Sequence, residues 1–227
     1  PLTPAFGELL LGAAATCTFS GDGWNILTFG LVVCPISTAL ITFGAALEIV
    51  VAKNLLLGQV TTARGGPLRG WECLRWVSAV LSVGFSALSL NMQSYTPLLN
   101  WIVRACGARV GTGCQLGWKS LQIAPEMDMI SIGKNAFVGW ALYGHEFGAA
   151  EIVFKPVTVG EGATTGGMTM LTPGSSVTDN SVVAYGSMVI PGSCDTKSQA
   201  KQYLTGNPAV SEAAPPEALL EVNGLPL

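Results

Sequence analysis

Between Val159 and Val189, a residue that suits a narrow protein interior recurs at every sixth position. The series is Val159, Thr165, Leu171, Val177, Val183 and Val189, and glycine, proline, asparagine and serine crowd the intervals. Helices repeat near 3.6 residues and half-buried strands near two, so neither has this period. A six-residue period is typical of a parallel β-helix. It predicts a mainly β fold, a single-stranded left-handed coil in which each hexad forms one side of a triangular prism and Gly or Asn occupies the corners.

The same spacing begins earlier in the chain and is interrupted twice. Val110 and Leu116 are six residues apart, as are Ile132 and Val138. The step from Leu116 to Ile132 is 16 residues and the step from Val138 to Val159 is 21, and neither is a multiple of six. Each offset predicts a loop that leaves the coil, and the second loop contains the single histidine. With about 18 residues per coil, we expect four to five coils in a domain of residues 105–209, followed by a tail of residues 210–227.

Residues 1–104 have the composition of a membrane-associated helical region. Charged residues make up 11% of the 227 residues, against about 25% in typical soluble proteins. Residues 26–52 form an apolar segment whose one ionisable group is Glu48, and a membrane span needs about 20 such residues. We predict a transmembrane helix there, with a buried core helix as the alternative. A second apolar segment, residues 76–90, is marginal as a span.

The connector between these two segments is basic. Its charged residues are Lys53, Arg64, Arg69, Glu72 and Arg75. The positive-inside rule assigns such a loop to the cytoplasm, so the β-helix is expected on the cytoplasmic side of a membrane. The chain has neither an initiator methionine nor the basic start of a signal peptide, and we expect it to be a fragment of a longer polypeptide.

Charge and residue content argue against several classes of protein. The net charge is −3 and no basic cluster is interleaved with aromatic residues, so nucleic acid is not an expected partner. None of the six cysteines has CxxC spacing, which argues against a zinc ribbon or a redox dithiol. No nucleophile-elbow motif indicates Ser/His/Asp hydrolysis. The glycine-rich runs lie on the six-residue spacing, so they are coil corners and not phosphate loops.

Six segments carry a resemblance to a known family. They are Pro67-Leu68-Arg69-Gly70-Trp71, Thr96-Pro97-Leu98, Gly107-Ala108-Arg109-Val110-Gly111, Met127-Asp128-Met129-Ile130-Ser131-Ile132-Gly133, His145-Glu146-Phe147 and Gly206-Asn207-Pro208-Ala209. In this order, with two apolar segments upstream, they resemble the terminal membrane-plus-hexapeptide-repeat module of nonribosomal peptide synthetase-like proteins such as epsilon-poly-lysine synthetase. That module lies in the left-handed β-helix acyltransferase superfamily. The resemblance covers roughly residues 30–210.

The resemblance implies a membrane-bound condensation module. An acyl or aminoacyl group would pass from a phosphopantetheine thioester of a carrier protein, or from coenzyme A, to an amine. The implied partners are adenylation and carrier domains in the same longer polypeptide, and membrane lipid. A homotrimer or pseudo-trimer of prisms is also implied. No metal is expected, because a carbonic anhydrase of this fold uses three histidines for zinc and this chain has one.

The resemblance also selects site residues. His145 is the candidate general base, because the pKa of imidazole lies near the operating pH and an attacking amine must lose a proton. Glu146, Glu151 and Asp128 are candidates for orienting the imidazole or holding a cationic amine, and Lys155 for contacting a phosphate of the donor. Tyr143, Phe147 and Trp140 are candidates for lining an acyl pocket, with plain aromatic packing as the alternative.

One departure from the family pattern leaves other functions open. Gly148-Ala149-Ala150 stands where the family's histidine loop continues with charged residues. That loss favours a non-catalytic assembly or docking module of a larger synthetase. A third hypothesis is an acetyltransferase that uses acetyl-coenzyme A, against which the apolar segment of residues 26–52 argues. The sequence favours an enzyme, an amide bond-forming acyltransferase, over these two.

Overall fold

The computed structural model describes residues 31, 33–61, 66–67, 71–85, 90–91, 93–117, 125–139, 141–142, 144–148, 151–194 and 202–212. A parallel β-solenoid of about four turns follows an N-terminal helical region, which confirms the predicted fold class. The left-handed sense of the coil stays a prediction from the hexads.

Three parallel sheets form the three sides of the prism. The first contains β2 (Arg109–Val110), β4 (Ile130–Ile132), β9 (Val157–Val159) and β12 (Ser176–Val177). The second contains β3 (Gln115–Leu116), β5 (Phe137–Val138), β10 (Thr164–Thr165), β13 (Val182–Val183) and β15 (Tyr203–Gly206). The third contains β6 (Ala141–Leu142), β11 (Met170–Leu171) and β14 (Met188–Val189). From β4 to β14 the strands of the prism follow the three sides in turn, as the hexads predict.

The six-residue series fills the interior of the prism. Val159 pairs with Val177, Thr165 with Val183 and Leu171 with Val189, and each partner lies 18 residues further along the chain. The side chains of this series are buried. Thr165 is the one polar member, and its hydroxyl accepts a hydrogen bond from the Gly139 N–H at 3.1 Å. A buried hydroxyl with a partner avoids the penalty of an unsatisfied polar group.

The corners of the coil use residues that tolerate a left-handed backbone. The residue two positions before each of β3, β5, β10 and β13 has a positive φ, and these residues are Gly113, Asn135, Gly162 and Asn180. Glycine and asparagine adopt this conformation at the least cost, so the corner explains their recurrence. Gly133 is required for another reason. A Cβ built on it would lie 2.4 Å from the amide nitrogen of Glu161 in the next coil.

The second interruption is a β-hairpin that leaves the prism. Strands β7 (His145–Phe147) and β8 (Glu151–Phe154) pair antiparallel, and β1 (Gly66–Pro67) of the connector pairs with the other edge of β8. The hairpin starts just after Leu142, which lies four residues after Val138 and not six. The third side of that coil is therefore shortened, and the predicted extruded loop is an ordered three-stranded sheet joined to the helical region.

The helical region closes the N-terminal end of the prism. Helix α1 is Cys34–Ala52 and continues as a π-helical turn, Lys53–Leu57. Helix α2 is Trp71–Phe85 and helix α3 is Pro97–Ala105. The side chain of Thr96 caps α3 by accepting from the Leu99 N–H, which is a favoured N-cap arrangement. Ile49 of α1, Val83 of α2 and Leu99 of α3 belong to the same buried cluster as the prism core, so the hydrophobic interior is continuous.

The outer face of the first two helices is apolar and is left exposed by the described residues. The exposed side chains are Ile36, Leu40, Phe43, Leu47 and Val51 of α1 and Leu74, Val77 and Leu81 of α2. Within the described residues, Cys34–Leu57 is the one helix long and apolar enough to cross a membrane, with a mean hydropathy of 1.8. Length and composition alone identify it, and core helices of soluble proteins share both. Residues 26–30 and 32 of the predicted span, and residues 86–89 of the second apolar segment, lie outside the described residues.

The C-terminal end of the prism carries a second hairpin. Strand β16 (Ala209–Glu212) pairs antiparallel with β15, and the turn between them contains a cis Asn207–Pro208 bond. The segment Gly206-Asn207-Pro208-Ala209, one of the six that carry the family resemblance, contains this turn. The first residues of the expected tail belong to β16, and residues 213–227 lie outside the described residues.

Candidate functional site

A buried glutamate holds the histidine. His145 is the first residue of β7, and its Nδ1 lies 2.6 Å from Oε1 of Glu126. The side chain of Glu126 is completely buried and that of His145 is 9% exposed. A carboxylate oxygen that accepts this hydrogen bond requires a proton on Nδ1, and in a neutral ring the lone pair is then on Nε2. The pair therefore has one defined tautomer.

The backbone around Gly144 completes this arrangement. The Gly144 N–H donates to the same Oε1 of Glu126 at 3.1 Å. A Cβ at Gly144 would lie 2.7 Å from Cβ of Met129 and 2.8 Å from Cγ of Glu126, so only glycine fits between the hairpin and the turn that carries the glutamate. Charge-assisted bonds of this kind offset part of the cost of burying a carboxylate. The other carboxylate oxygen, Oε2, is buried and has no hydrogen-bond partner.

Two aromatic rings flank the imidazole. Trp76 of α2 meets His145 edge to face, with ring centroids 5.0 Å apart, and meets Phe147 in the same way at 5.6 Å. The rings of His145 and Phe147 are 5.1 Å apart. Nε1 of Trp76 is buried without a hydrogen-bond partner. The histidine thus lies at the junction between the prism and the helical region of the same chain.

The remaining predicted residues lie elsewhere around the hairpin. Glu146 and Lys155 form an ion pair with each other at 2.5 Å, and both side chains are about half exposed. Glu146 follows His145 on a strand, where successive side chains alternate between faces, so it points away from the imidazole. Phe147 shares the histidine's side of the strand. Tyr143 and Trp140 lie outside the described residues, and their predicted roles, like those of Glu146, Phe147 and Lys155, stay predictions.

The other two candidate carboxylates, Asp128 and Glu151, lie at different positions from Glu126. Asp128 pairs with Lys53 at 2.6 Å. Glu151 lies on β8, exposed and opposite Pro67. Sequence reasoning missed Glu126 and the contact of Trp76, because nothing local distinguishes one carboxylate from its neighbours. The available signal was the proximity of Glu126 to the acidic segment Met127–Gly133, one coil below the histidine loop.

A buried thiol lies near the Lys53–Asp128 pair. Cys106 is fully buried at the end of α3. Burial raises the pKa of the Cys106 thiol to about 12, while nearby Lys53 lowers this pKa and Asp128 raises it. Within the described ranges, no three His, Cys, Asp or Glu side chains are grouped as a metal site would require.

Comparison with known proteins identifies similar solved structures. No protein-family model matches the chain, and no curated protein sequence matches it. The chain is similar to a hexapeptide-repeat-containing acetyltransferase from Vibrio cholerae, with 16% identity, coverage of 60% of this chain and 92% of that one, and a TM-score of 0.37. A maltose O-acetyltransferase from Clostridium difficile is 15% identical, with coverage of 71% of this chain and 95% of that one and a TM-score of 0.36. A serine acetyltransferase from Neisseria gonorrhoeae is 16% identical, with coverage of 97% of this chain and 96% of that one and a TM-score of 0.36.

Proposed function

We propose that this chain is the acyltransferase module of a membrane-bound synthetase, with His145 as general base. The observation that carries this proposal is the 2.6 Å contact between Nδ1 of His145 and the buried Oε1 of Glu126. A carboxylate that accepts from Nδ1 sets the tautomer and stabilises the imidazolium that forms when Nε2 takes a proton. A lone exposed loop histidine would have neither property.

The reaction needs little more than positioning and proton transfer. The acceptor nitrogen attacks the carbonyl carbon of the thioester, and Nε2 of His145 takes a proton from that nitrogen. The carbon–sulfur bond then breaks, and the imidazolium returns the proton to the departing thiolate. The products are an amide and a free thiol. A thioester is already activated, so general base catalysis of about 10²–10⁴-fold is the contribution expected from the histidine.

The position of the site supports a donor delivered at a membrane face. Trp76 of α2 is in contact with His145, and α2 packs beside α1, the helix long enough to cross a membrane. In this proposal a carrier-protein phosphopantetheine arm approaches the junction from outside the prism. We therefore propose the carrier thioester as donor, with coenzyme A as the alternative that shares the same reactive group.

The test is turnover of the full-length membrane protein after His145→Ala. We expect kcat of the folded variant to fall by at least about 10², in assays that offer the acyl group on a carrier protein and on coenzyme A in parallel. The melting temperature falls as well, because the buried carboxylate of Glu126 loses a partner. Tyr185→Ala, which removes an exposed aromatic ring from a corner of the coil, is the control and leaves turnover unchanged. Wild-type turnover by folded His145→Ala would overturn the proposal. A preference for free acetyl-coenzyme A would instead favour an acetyltransferase.

A docking function is the second candidate, and the burial of the site favours it. The His145 side chain is only 9% exposed and is enclosed by Trp76 and Phe147, as expected for a ring that fastens the hairpin to α2. In that case His145→Ala lowers the melting temperature and weakens assembly of the synthetase without a specific loss of kcat. Native mass measurement of the assembled protein alongside turnover separates the two functions.

A further inference from the structure

Lys53 is buried at the end of the helix that is apolar enough to cross a membrane. It is the first residue of the π-helical turn after α1, its side chain is 2% exposed, and its Nζ lies 2.6 Å from Oδ2 of Asp128. A lysine at the end of such a helix ordinarily extends its ammonium group towards water. Here the group is turned inward, onto the first coils of the prism. A buried ion pair adds little net stability compared with well-packed apolar residues, so its presence calls for another role.

Asp128 is held from several directions. Its Oδ2 also accepts from the Val60 N–H at 3.1 Å. Its Oδ1 occupies the space that a side chain at residue 107 would need, because a Cβ built on Gly107 would lie 2.1 Å from that oxygen. Gly107 has a φ of 103°, so both its conformation and the space around it require glycine. The carboxylate of Asp128 therefore has one position available to it.

Asp128 and Glu126 belong to the same turn. Asp128 is the central residue of the 3₁₀ turn Met127–Met129, and Glu126 is the residue that precedes this turn. The Met129 N–H donates to the carbonyl of Glu126 at 2.9 Å, which closes the turn. Any displacement of Asp128 moves the backbone that carries Glu126. A shift of a few tenths of an ångström would lengthen the 2.6 Å bond to Nδ1 of His145.

We propose that Lys53 and Asp128 are positioning residues for the His145–Glu126 pair. The ion pair ties the end of α1 to the turn that carries Glu126, and so sets the hydrogen bond that selects the tautomer of His145. The positioning role itself concerns only the hydrogen bond between His145 and Glu126. Any effect of the ion pair on turnover rests on the proposed function. The position of α1 therefore affects the orientation of the imidazole through Asp128 and Glu126, without a direct contact.

The test uses the fact that the chain contains a single histidine. Nitrogen and proton NMR of protein whose isotope label is confined to these 227 residues therefore report on His145 without assignment ambiguity, and they require no turnover. We compare the wild type with Lys53→Met/Asp128→Asn, which removes both charges together and keeps side-chain size. The control is Lys155→Met/Glu146→Gln, which removes an exposed lysine–carboxylate pair on the hairpin.

We expect the Lys53/Asp128 variant to lose the low-field Nδ1–H resonance and to show mixed tautomers, while the control keeps the wild-type spectrum. A wild-type His145 spectrum in the folded Lys53/Asp128 variant overturns the proposal. If that variant does not fold, Asp128→Glu replaces it. Glu keeps the charge and adds one methylene where Gly107 leaves no room, so the turn must move and the resonance must shift. An unchanged resonance there also overturns the proposal.

Turnover separates this proposal from the proposed function. If His145 is the base, we expect the Lys53/Asp128 variant to lose about tenfold in kcat with KM unchanged. This loss corresponds to about 1.4 kcal/mol of transition-state stabilisation. If His145→Ala keeps full turnover while the Lys53/Asp128 variant still loses the resonance, the positioning role stands and the catalytic one fails.

Discussion

Replacing Glu126 with glutamine removes the charge that faces His145 and keeps the size of the side chain. The amide oxygen can still accept from the Nδ1–H and from the Gly144 N–H, the two partners of Oε1. Hydrogen bonds to charged groups contribute about 1.5–3 kcal/mol and neutral ones about 0.5–1.5 kcal/mol. If His145 is the base, the loss on forming the imidazolium is the difference between these values, about 1–1.5 kcal/mol, which corresponds to roughly tenfold in kcat.

Glu126→Gln is expected to lower kcat but not to lower the stability of the fold. Glu126 is completely buried and its Oε2 has no hydrogen-bond partner, so the folded state bears the desolvation cost of that oxygen. A neutral amide lowers this cost, and we expect Glu126→Gln to be as stable as the wild type or more stable by about 1 kcal/mol. That gain raises the melting temperature by about 2–4 °C for a chain of this size.

Glu126→Ala is the matched control, because it removes the acceptor as well as the charge. It leaves the Nδ1–H and the Gly144 N–H without their partner, and we expect it to cost about 3 kcal/mol in stability. Steady-state kinetics and thermal unfolding of both variants in the same detergent or nanodisc make the comparison. The reasoning is refuted if Glu126→Gln keeps the wild-type kcat, or if it destabilises the protein as much as Glu126→Ala does.

Three further predictions concern the prism and its buried thiol. Leu171→Ala, at a fully buried position, lowers the free energy of unfolding by about 2–5 kcal/mol in denaturant titrations, and a cost below 1 kcal/mol would contradict the packed interior. Gly133→Ala destabilises the coil in the same assay, because the new Cβ meets backbone 2.4 Å away, whereas Gly186→Ala meets no atom within 4 Å and is strained only by its φ of 71°. The raised pKa of Cys106 contributes stability that is present below the usual thiol pKa of 9.0 and is lost as the pH rises towards about 12, so Cys106→Ala flattens that alkaline decline in melting temperature.

The six-residue period in the sequence predicted which side chains are buried in the prism. A hexad with one interior residue specifies a prism side directly, because each side chain lies over the one a coil below. The extruded segment was visible for the same reason, since a 21-residue step cannot close the coil. His145 was found because it is the single histidine and lies in that step.

The partners of His145 depended on tertiary structure. Three carboxylates were candidate partners of the histidine by sequence, and the nearest one, Glu146, faces the opposite side of β7 because side chains alternate along a strand. Glu126 reaches the imidazole from 19 residues away, across one coil. Trp76 and Lys53 come from helices whose packing against the prism no local pattern records. The sequence by itself therefore determined the scaffold and the candidate base, because both depend on local periodicity. The folded chain alone decided which groups orient that base, because that depends on contacts between segments far apart in the chain.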